Sequence, residues 1–356
     1  MIHLIPIFDG HNDTLRKLYL KSQDGIECSF LKENDEIPIE LDLLKARRGG
    51  LKGGMFSINV PNPEEKDPME EIKWINGGGY TTPLAEPIDH HYAQKFTDSV
   101  LEYCFSLENR SEGKIKIVKT LNGLEECFLN DIFAIILHFE GAEAIDKDLE
   151  NLEYYYNQGL RVLAPVWSRN NQFGCGVPFS FGISPDIGSG LTVNGKKLIE
   201  KCNELGITID VSHMNEASFW DTLQVSKSPI AATHSNAYSL SHSTRNLTDK
   251  QIKAIGDING VIGVNFNSGF IRKDGVPKQR TSITELIKHI EYIIKLIGLE
   301  GVALGSDFDG AIIIKELKNA SKLPNLIHKL EDRGFTKKEL EKISYKNWFR
   351  VLDATW

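Results

Sequence analysis

Short apolar runs rich in valine, isoleucine and leucine recur along the chain, each closing near a glycine, serine, aspartate or histidine. They predict strands at 2–8, 54–60, 133–139, 160–166, 207–211, 229–233, 261–266 and 302–304. Most are apolar at successive rather than alternate positions, as in strands buried on both faces of a parallel sheet. Between them, amphipathic stretches at 91–107, 149–158, 193–205, 249–255 and 283–297 predict helices, with Thr248 placed to cap the fourth. Strand followed by helix about eight times predicts an α/β fold, a single (β/α)8 TIM-like barrel. A doubly wound sheet is disfavoured because no Gly-x-Gly-x-x-Gly follows the first strand. Irregular stretches interrupt the alternation at 21–40, 61–90 and 168–191. The second carries Gly77, Gly78 and Gly79 and reads as a surface insertion near the mouth of a site, within one domain spanning 1–356.

Composition narrows the class of protein. The 356 residues are 41% hydrophobic and 25% charged, an ordinary balance for a globular chain with a large core. A formal charge of −8 leaves no electrostatic footprint for nucleic acid or anionic lipid. The local basic run at 45–52 reads as a solvated loop edge. Five scattered cysteines (Cys28, Cys104, Cys127, Cys175 and Cys202) contain no Cys-x-x-Cys pair, which argues against a disulfide framework and for a reducing compartment. Residues 1–8 are apolar but lack a basic leader, and no apolar stretch approaches the roughly 18 residues of a membrane span. The expected location is the cytoplasm, with no membrane partner.

In barrels of this kind, functional side chains gather at the C-terminal ends of the strands. The polar residues that end the apolar runs are concentrated in metal-binding types. The first run leads into Asp9-Gly10-His11-Asn12-Asp13, where His11 and Asp13, two apart in an extended chain, can face one metal together. The third ends at Glu140, whose buried carboxylate needs either a salt bridge or a metal as counter-charge. The fifth and sixth end at His213 and His234, and the eighth at Asp307. Each alone has a structural reading as a core histidine or a turn former; together, in barrel order, they point to a binuclear centre. Nitrogen and oxygen ligands without thiolate suit zinc best, with cobalt, manganese or iron as other occupants. Water bridging two such ions ionises near neutral pH, and Asp307 could take its proton. His138, two residues before Glu140, is expected to share its direction, whereas His90, His91, His289 and His328 are expected to face solvent.

These residues resemble the membrane (renal) dipeptidase family, peptidase family M19 of the amidohydrolase superfamily. The resemblance rests on Asp9-Gly10-His11-Asn12-Asp13, Glu140-Gly141 and Asp210-Val211-Ser212-His213. It continues through Thr233-His234-Ser235-Asn236-Ala237-Tyr238-Ser239, Arg245-Asn246-Leu247-Thr248-Asp249, Gly305-Ser306-Asp307-Phe308-Asp309-Gly310 and Asn347-Trp348-Phe349-Arg350-Val351, covering nearly the whole chain. It implies a zinc-dependent dipeptidase acting through a metal-bridging hydroxide. His11 and Asp13 would hold one Zn2+, His213 and His234 the other, and Glu140 both. Asp307 would handle the proton, and Arg245 would bind the substrate's terminal carboxylate through its planar fork. One position departs from the pattern. Members such as the renal enzyme carry a histidine after the fourth strand that helps hold the scissile carbonyl, and Trp167 stands there instead, a variant the resemblance implies for a bacterial subfamily. An indole N–H donates one hydrogen bond and carries no charge, so Trp167, Asn170 or Arg169 is expected to contact the substrate. The expected partners are a dipeptide and, as an open alternative, a second copy of the chain. Two other readings stand beside this one: a binuclear amidohydrolase acting on an N-acyl amino acid, lactam, lactone or deaminase-type substrate, and a non-catalytic metal- or peptide-binding protein.

Overall fold

The computed structural model describes residues 4–63, 71–75 and 78–356. Its strands are β1 (Ile7–Asn12), β2 (Leu51–Ile58), β3 (Lys73–Trp74), β4 (Tyr80–Thr81), β5 (Ile115–Ile117) and β6 (Phe133–Glu140). They continue as β7 (Leu160–Ala164), β8 (Thr208–Ile209), β9 (Ala231–Ala232), β10 (Val261–Asn265) and β11 (Val302–Gly305). Strands β1-β2-β6-β7-β8 form a strongly curled parallel half-barrel, and β11-β10-β9 form a second parallel sheet. Single parallel bridges join the edges of the two sheets, Asp210 to Ala231 and Asn12 to Phe308. On β6, strand β2 runs along one edge, while β5 and β7 share the other, pairing with its first and last residues respectively.

Side-chain alternation explains how this array carries both a core and a polar site. Along β6, Phe133, Ile135, Leu137 and Phe139 join the outer core beneath the helices. Ala134 and Ile136 face the interior with Phe8, Met55, Val162, Ala231, Val261, Ala303 and Trp348. The same inner face continues past Ile136 to His138 and Glu140, and on β2 past Met55 to Ser57. Trp348, from the helix Asn347–Thr355, seals the apolar end, its indole donating to the Leu304 carbonyl at 2.9 Å. Gly10 is required there, because a Cβ on it would lie 2.2 Å from the Trp348 ring.

The helices at Val193–Leu205 and Ile283–Ile297 coincide with the sequence expectation, and Thr248 caps Asp249–Asp257 through a capping box. Several boundaries differ. The first strand runs through Gly10, His11 and Asn12 rather than ending at residue 8. The second begins before its glycine pair, since Gly53 lies so close to β6 that a Cβ would fall 2.6 Å from the Ala134 carbonyl. The stretch 61–90 contains the β3–β4 hairpin; residues 64–70, 76 and 77, Gly77 of the glycine run among them, lie outside the described residues. The basic run at 45–52 is no loop edge. It belongs to the helix Leu43–Gly49 and the start of β2, and the Lys45 ammonium is buried against Asp42 at 2.8 Å. Among the described residues all five cysteines are free, and no helix is long and apolar enough to cross a membrane.

Candidate metal centre

The upper rim of the parallel array draws His11, Asp13, Glu140, His213, His234 and Asp307 onto one point. Glu140 is the hub. Its Oε1 lies 2.9 Å from His213 Nε2, 3.3 Å from His234 Nε2 and 3.5 Å from His11 Nε2. His11 Nε2 lies 3.7 Å from Asp13 and 4.0 Å from Asp307. Two triads therefore share Glu140: His11 with Asp13, and His213 with His234. Every one of these residues is buried.

The ring orientations are set from behind. Ser168 Oγ meets His213 Nδ1 at 2.8 Å, and Thr233 Oγ1 meets His234 Nδ1 at 2.8 Å. Thr233 donates its single hydroxyl proton to Asp210 Oδ2 at 2.6 Å, so its oxygen accepts from His234 Nδ1–H. That leaves His234 Nε2 unprotonated, facing Glu140 and 3.0 Å from His213 Nε2. Asp210 also accepts from Ser212 and from the Thr233 amide, and lies 3.3 Å from His138 Nε2. On the other side, Ser57 donates to Asp13 at 2.5 Å, and Asn265 donates to Asp307 at 2.9 Å. Asp307 sits at φ +62°, a left-handed conformation that turns its side chain back over the rim.

Burial and mutual charge shape the electrostatics of the cluster. Burial raises the Glu140 carboxyl to about 8 and Asp307 to about 6, despite the opposing pull of His11. Burial disfavours charge on His11 too, yet Glu140, Asp13 and Asp307 together lift its pKa to about 10. His213 and His234 are pushed well down, first by burial and then by the cations Arg245 and His11. Among the described residues neither ring nitrogen of His11 has a hydrogen-bond partner. Buried lone pairs converging on carboxylates, with orphaned imidazole nitrogens, fit divalent cations, and the nitrogen–oxygen donor set suits zinc among them.

A cavity of about 470 Å³ opens above the cluster, lined by Asp13, Glu140, His213, His234 and Asp307 together with Trp167 and Arg245. Arg245 is buried; one arm donates to the Ser212 carbonyl and the other lies 3.0 Å from His234 Nε2. Asn170 stands apart, exposed and outside the residues that line the cavity. Arg169 also turns away, donating to the Val60 carbonyl at 2.7 Å beneath Trp167. His289, expected at the surface, is buried. The supports Ser57, Ser168, Asp210, Thr233 and Asn265 had no assigned role in the sequence reading. The available signal was an aspartate inside an apolar run, which must find donors.

A family model described as membrane dipeptidase (peptidase family M19) matches residues 1–355. The solved structure of a metallo peptidase from Rhodobacter sphaeroides, liganded with a phosphinate mimic of the dipeptide L-Ala-D-Ala, is 35% identical. The likeness covers 99% of this chain and 100% of that one, with a TM-score of 0.92. An uncharacterized protein in the pqqA 5′ region of Klebsiella pneumoniae is 44% identical over 246 residues, 69% of this chain and 91% of that protein. An uncharacterized dipeptidase of Schizosaccharomyces pombe is 30% identical over 352 residues, covering 98% and 80% respectively.

Proposed function

The chain belongs to peptidase family M19, the membrane dipeptidase family, and is a metallo-dipeptidase; from that premise we propose that it uses two zinc ions to hydrolyse the peptide bond of small dipeptides with a metal-activated water. The observation that carries this reading is the shared carboxylate: Glu140 faces His11 and Asp13 on one side and His213 and His234 on the other. Those five residues would hold the two ions. Divalent cations bound there supply Lewis acidity, lowering the pKa of a water toward neutrality and polarising the scissile carbonyl.

The protein's own groups supply the rest. Asp307, held by Asn265 at the edge of the cluster, is placed to take a proton from the attacking water and pass it to the leaving amine. Arg245 anchors the terminal carboxylate, and its burial excludes the water that would weaken that pair. Such an anchor selects dipeptides, since a longer chain puts a neutral amide where the carboxylate should sit. Trp167 flanks the same space, while Asn170 has no part in this reading because it is exposed and remote from the lining. The same reading takes the two sheets as one closed eight-stranded barrel, supported by the Asp210–Ala231 and Asn12–Phe308 bridges. It takes the chain as one domain and places it in the cytoplasm.

The test is hydrolysis of the Ala-Ala stereoisomers by chelator-stripped protein, with and without added zinc, alongside metal analysis. Zinc-dependent cleavage with about two ions per chain is expected. Undiminished cleavage by the stripped protein, or none by zinc-loaded protein, would sink the proposal.

A further inference from the structure

The cavity divides into unlike halves. Toward Asp13 it is polar, lined by Arg16 and Asn59. Toward Arg245 it is aromatic. The Arg245 guanidinium lies 5.6 Å from the Phe270 ring centre, and Phe270 runs parallel to Phe179 at 6.4 Å. Phe179 in turn meets Trp167 at 5.7 Å and stands edge-on to His213 at 6.2 Å. Arg169 backs the far face of Trp167 at 4.9 Å, fixing the indole in place. The wall therefore runs unbroken from the metal cluster to the arginine, and Phe179 and Trp167 are only partly buried. Trp167 extends this apolar surface.

Among the described residues that line the cavity, Arg16 lies on the Asp13 side, and no further cation joins Arg245. Asp309 lines the cavity, but its carboxylate is fully buried and spent on Lys17, Thr14 and the amides of Glu40 and Leu41. Asp13, Glu140 and Asp307 belong to the metal cluster. We propose that the chain selects dipeptides whose C-terminal residue is apolar, with Phe179 as the principal specificity-determining residue. The proposal rests on Arg245 holding the terminal carboxylate. The side chain of that residue leaves the atom that bears the carboxylate, beside the Phe270 ring that flanks Arg245 and the Phe179 ring parallel to it. An aliphatic or aromatic group there sheds water onto an apolar wall. An aspartate or lysine would be desolvated with no partner beyond the arginine already engaged.

The experiment compares kcat/KM of zinc-loaded protein for Ala-Gly, Ala-Leu, Ala-Phe, Ala-Asp and Ala-Lys, each chiral C-terminal residue in both configurations. Leucine and phenylalanine should exceed glycine by roughly 10- to 100-fold, the range that a well-fitted apolar pocket delivers, with aspartate and lysine below glycine. In Phe179→Ala the leucine-to-glycine ratio should collapse toward unity; in Phe179→Leu, which keeps an apolar wall, it should largely persist. A flat wild-type series, a preference for aspartate or lysine, or a ratio unmoved in a folded Phe179→Ala variant overturns the specificity. Failure of zinc-loaded wild-type protein to cleave any of the dipeptides overturns the dipeptidase reading, and the specificity with it.

Discussion

Lowering the pH from about 8 to about 5 should remove about 2 kcal/mol more stability from the wild-type protein than from a His289→Asn variant. His289 lies on the buried face of the helix Ile283–Ile297. Its Nδ1 lies 3.1 Å from the Ala237 amide and its Nε2 lies 3.3 Å from the Ile271 carbonyl. The amide can only donate, so Nδ1 is unprotonated and Nε2–H donates to Ile271. A second proton would set one N–H against another. Burial accordingly depresses the pKa from 6.5 to about 4, with the Ile271 bond and Glu285 opposing. Because the folded value lies below the unfolded one, the unfolded chain binds more protons between them. The stabilisation is complete above pH 6.5 and is lost as the pH falls toward 4. With these two values the loss is about 2 kcal/mol at pH 5, rising to about 3 kcal/mol below pH 4. Asparagine offers Ala237 an acceptor that does not titrate. Urea denaturation of metal-stripped wild type and variant at both pH values gives the double difference, in which other titrating groups cancel. Equal losses, or a larger loss in the variant, would refute the assignment of a neutral, acceptor His289.

Two further outcomes concern the site itself. Replacing His213 or His234 with alanine should leave the fold intact but lower bound metal to about one ion per chain and activity by more than about 100-fold, since loss of even an outer-shell partner costs about 10- to 100-fold; metal analysis showing full occupancy with normal turnover would disprove the ligand set. Wild-type protein should strongly prefer a dipeptide to its C-terminal amide, and Arg245→Ala should erase most of that preference by raising KM for the free acid by about 10-fold or more; a preference that survives the substitution would remove Arg245 from carboxylate recognition.

Most of this architecture was legible because buried parallel strands announce themselves. The run at 133–139 is apolar on both faces, and it emerges as β6 with a one-residue extension to Glu140. Legibility failed where an element's length rests on neighbours rather than on its own pattern. Ala231–Ala232 and Thr208–Ile209 are short because single bridges and side-chain bonds around Asp210 replace the ladder there. β5 escaped notice because three residues, Ile-Lys-Ile, carry too little periodicity to stand out; only the free edge at the start of β6 makes them a strand.

The metal-binding types were legible for a different reason from the aromatic wall of the cavity. Side chains on a strand inherit a direction from the period of two, so an inward Ile136 commits His138 and Glu140 to the same face. Beyond the strand that inheritance lapses. After Ala164 the chain enters a loop in which Trp167 faces the cavity, Arg169 turns back to Val60 and Asn170 points to solvent. Linear proximity had placed all three near the substrate, and of the three only Trp167 lines the cavity. Phe179 comes from a loop and Phe270 from the short helix Ser268–Ile271; Phe270 meets Arg245, and Phe179 meets Phe270, by tertiary packing alone. The consequence is a division of labour in what can vary. A change on the strands disturbs metal chemistry and core together, because both hang on one alternation. A change in the loops can redirect the side chain the cavity accepts while the metal cluster stays as it is.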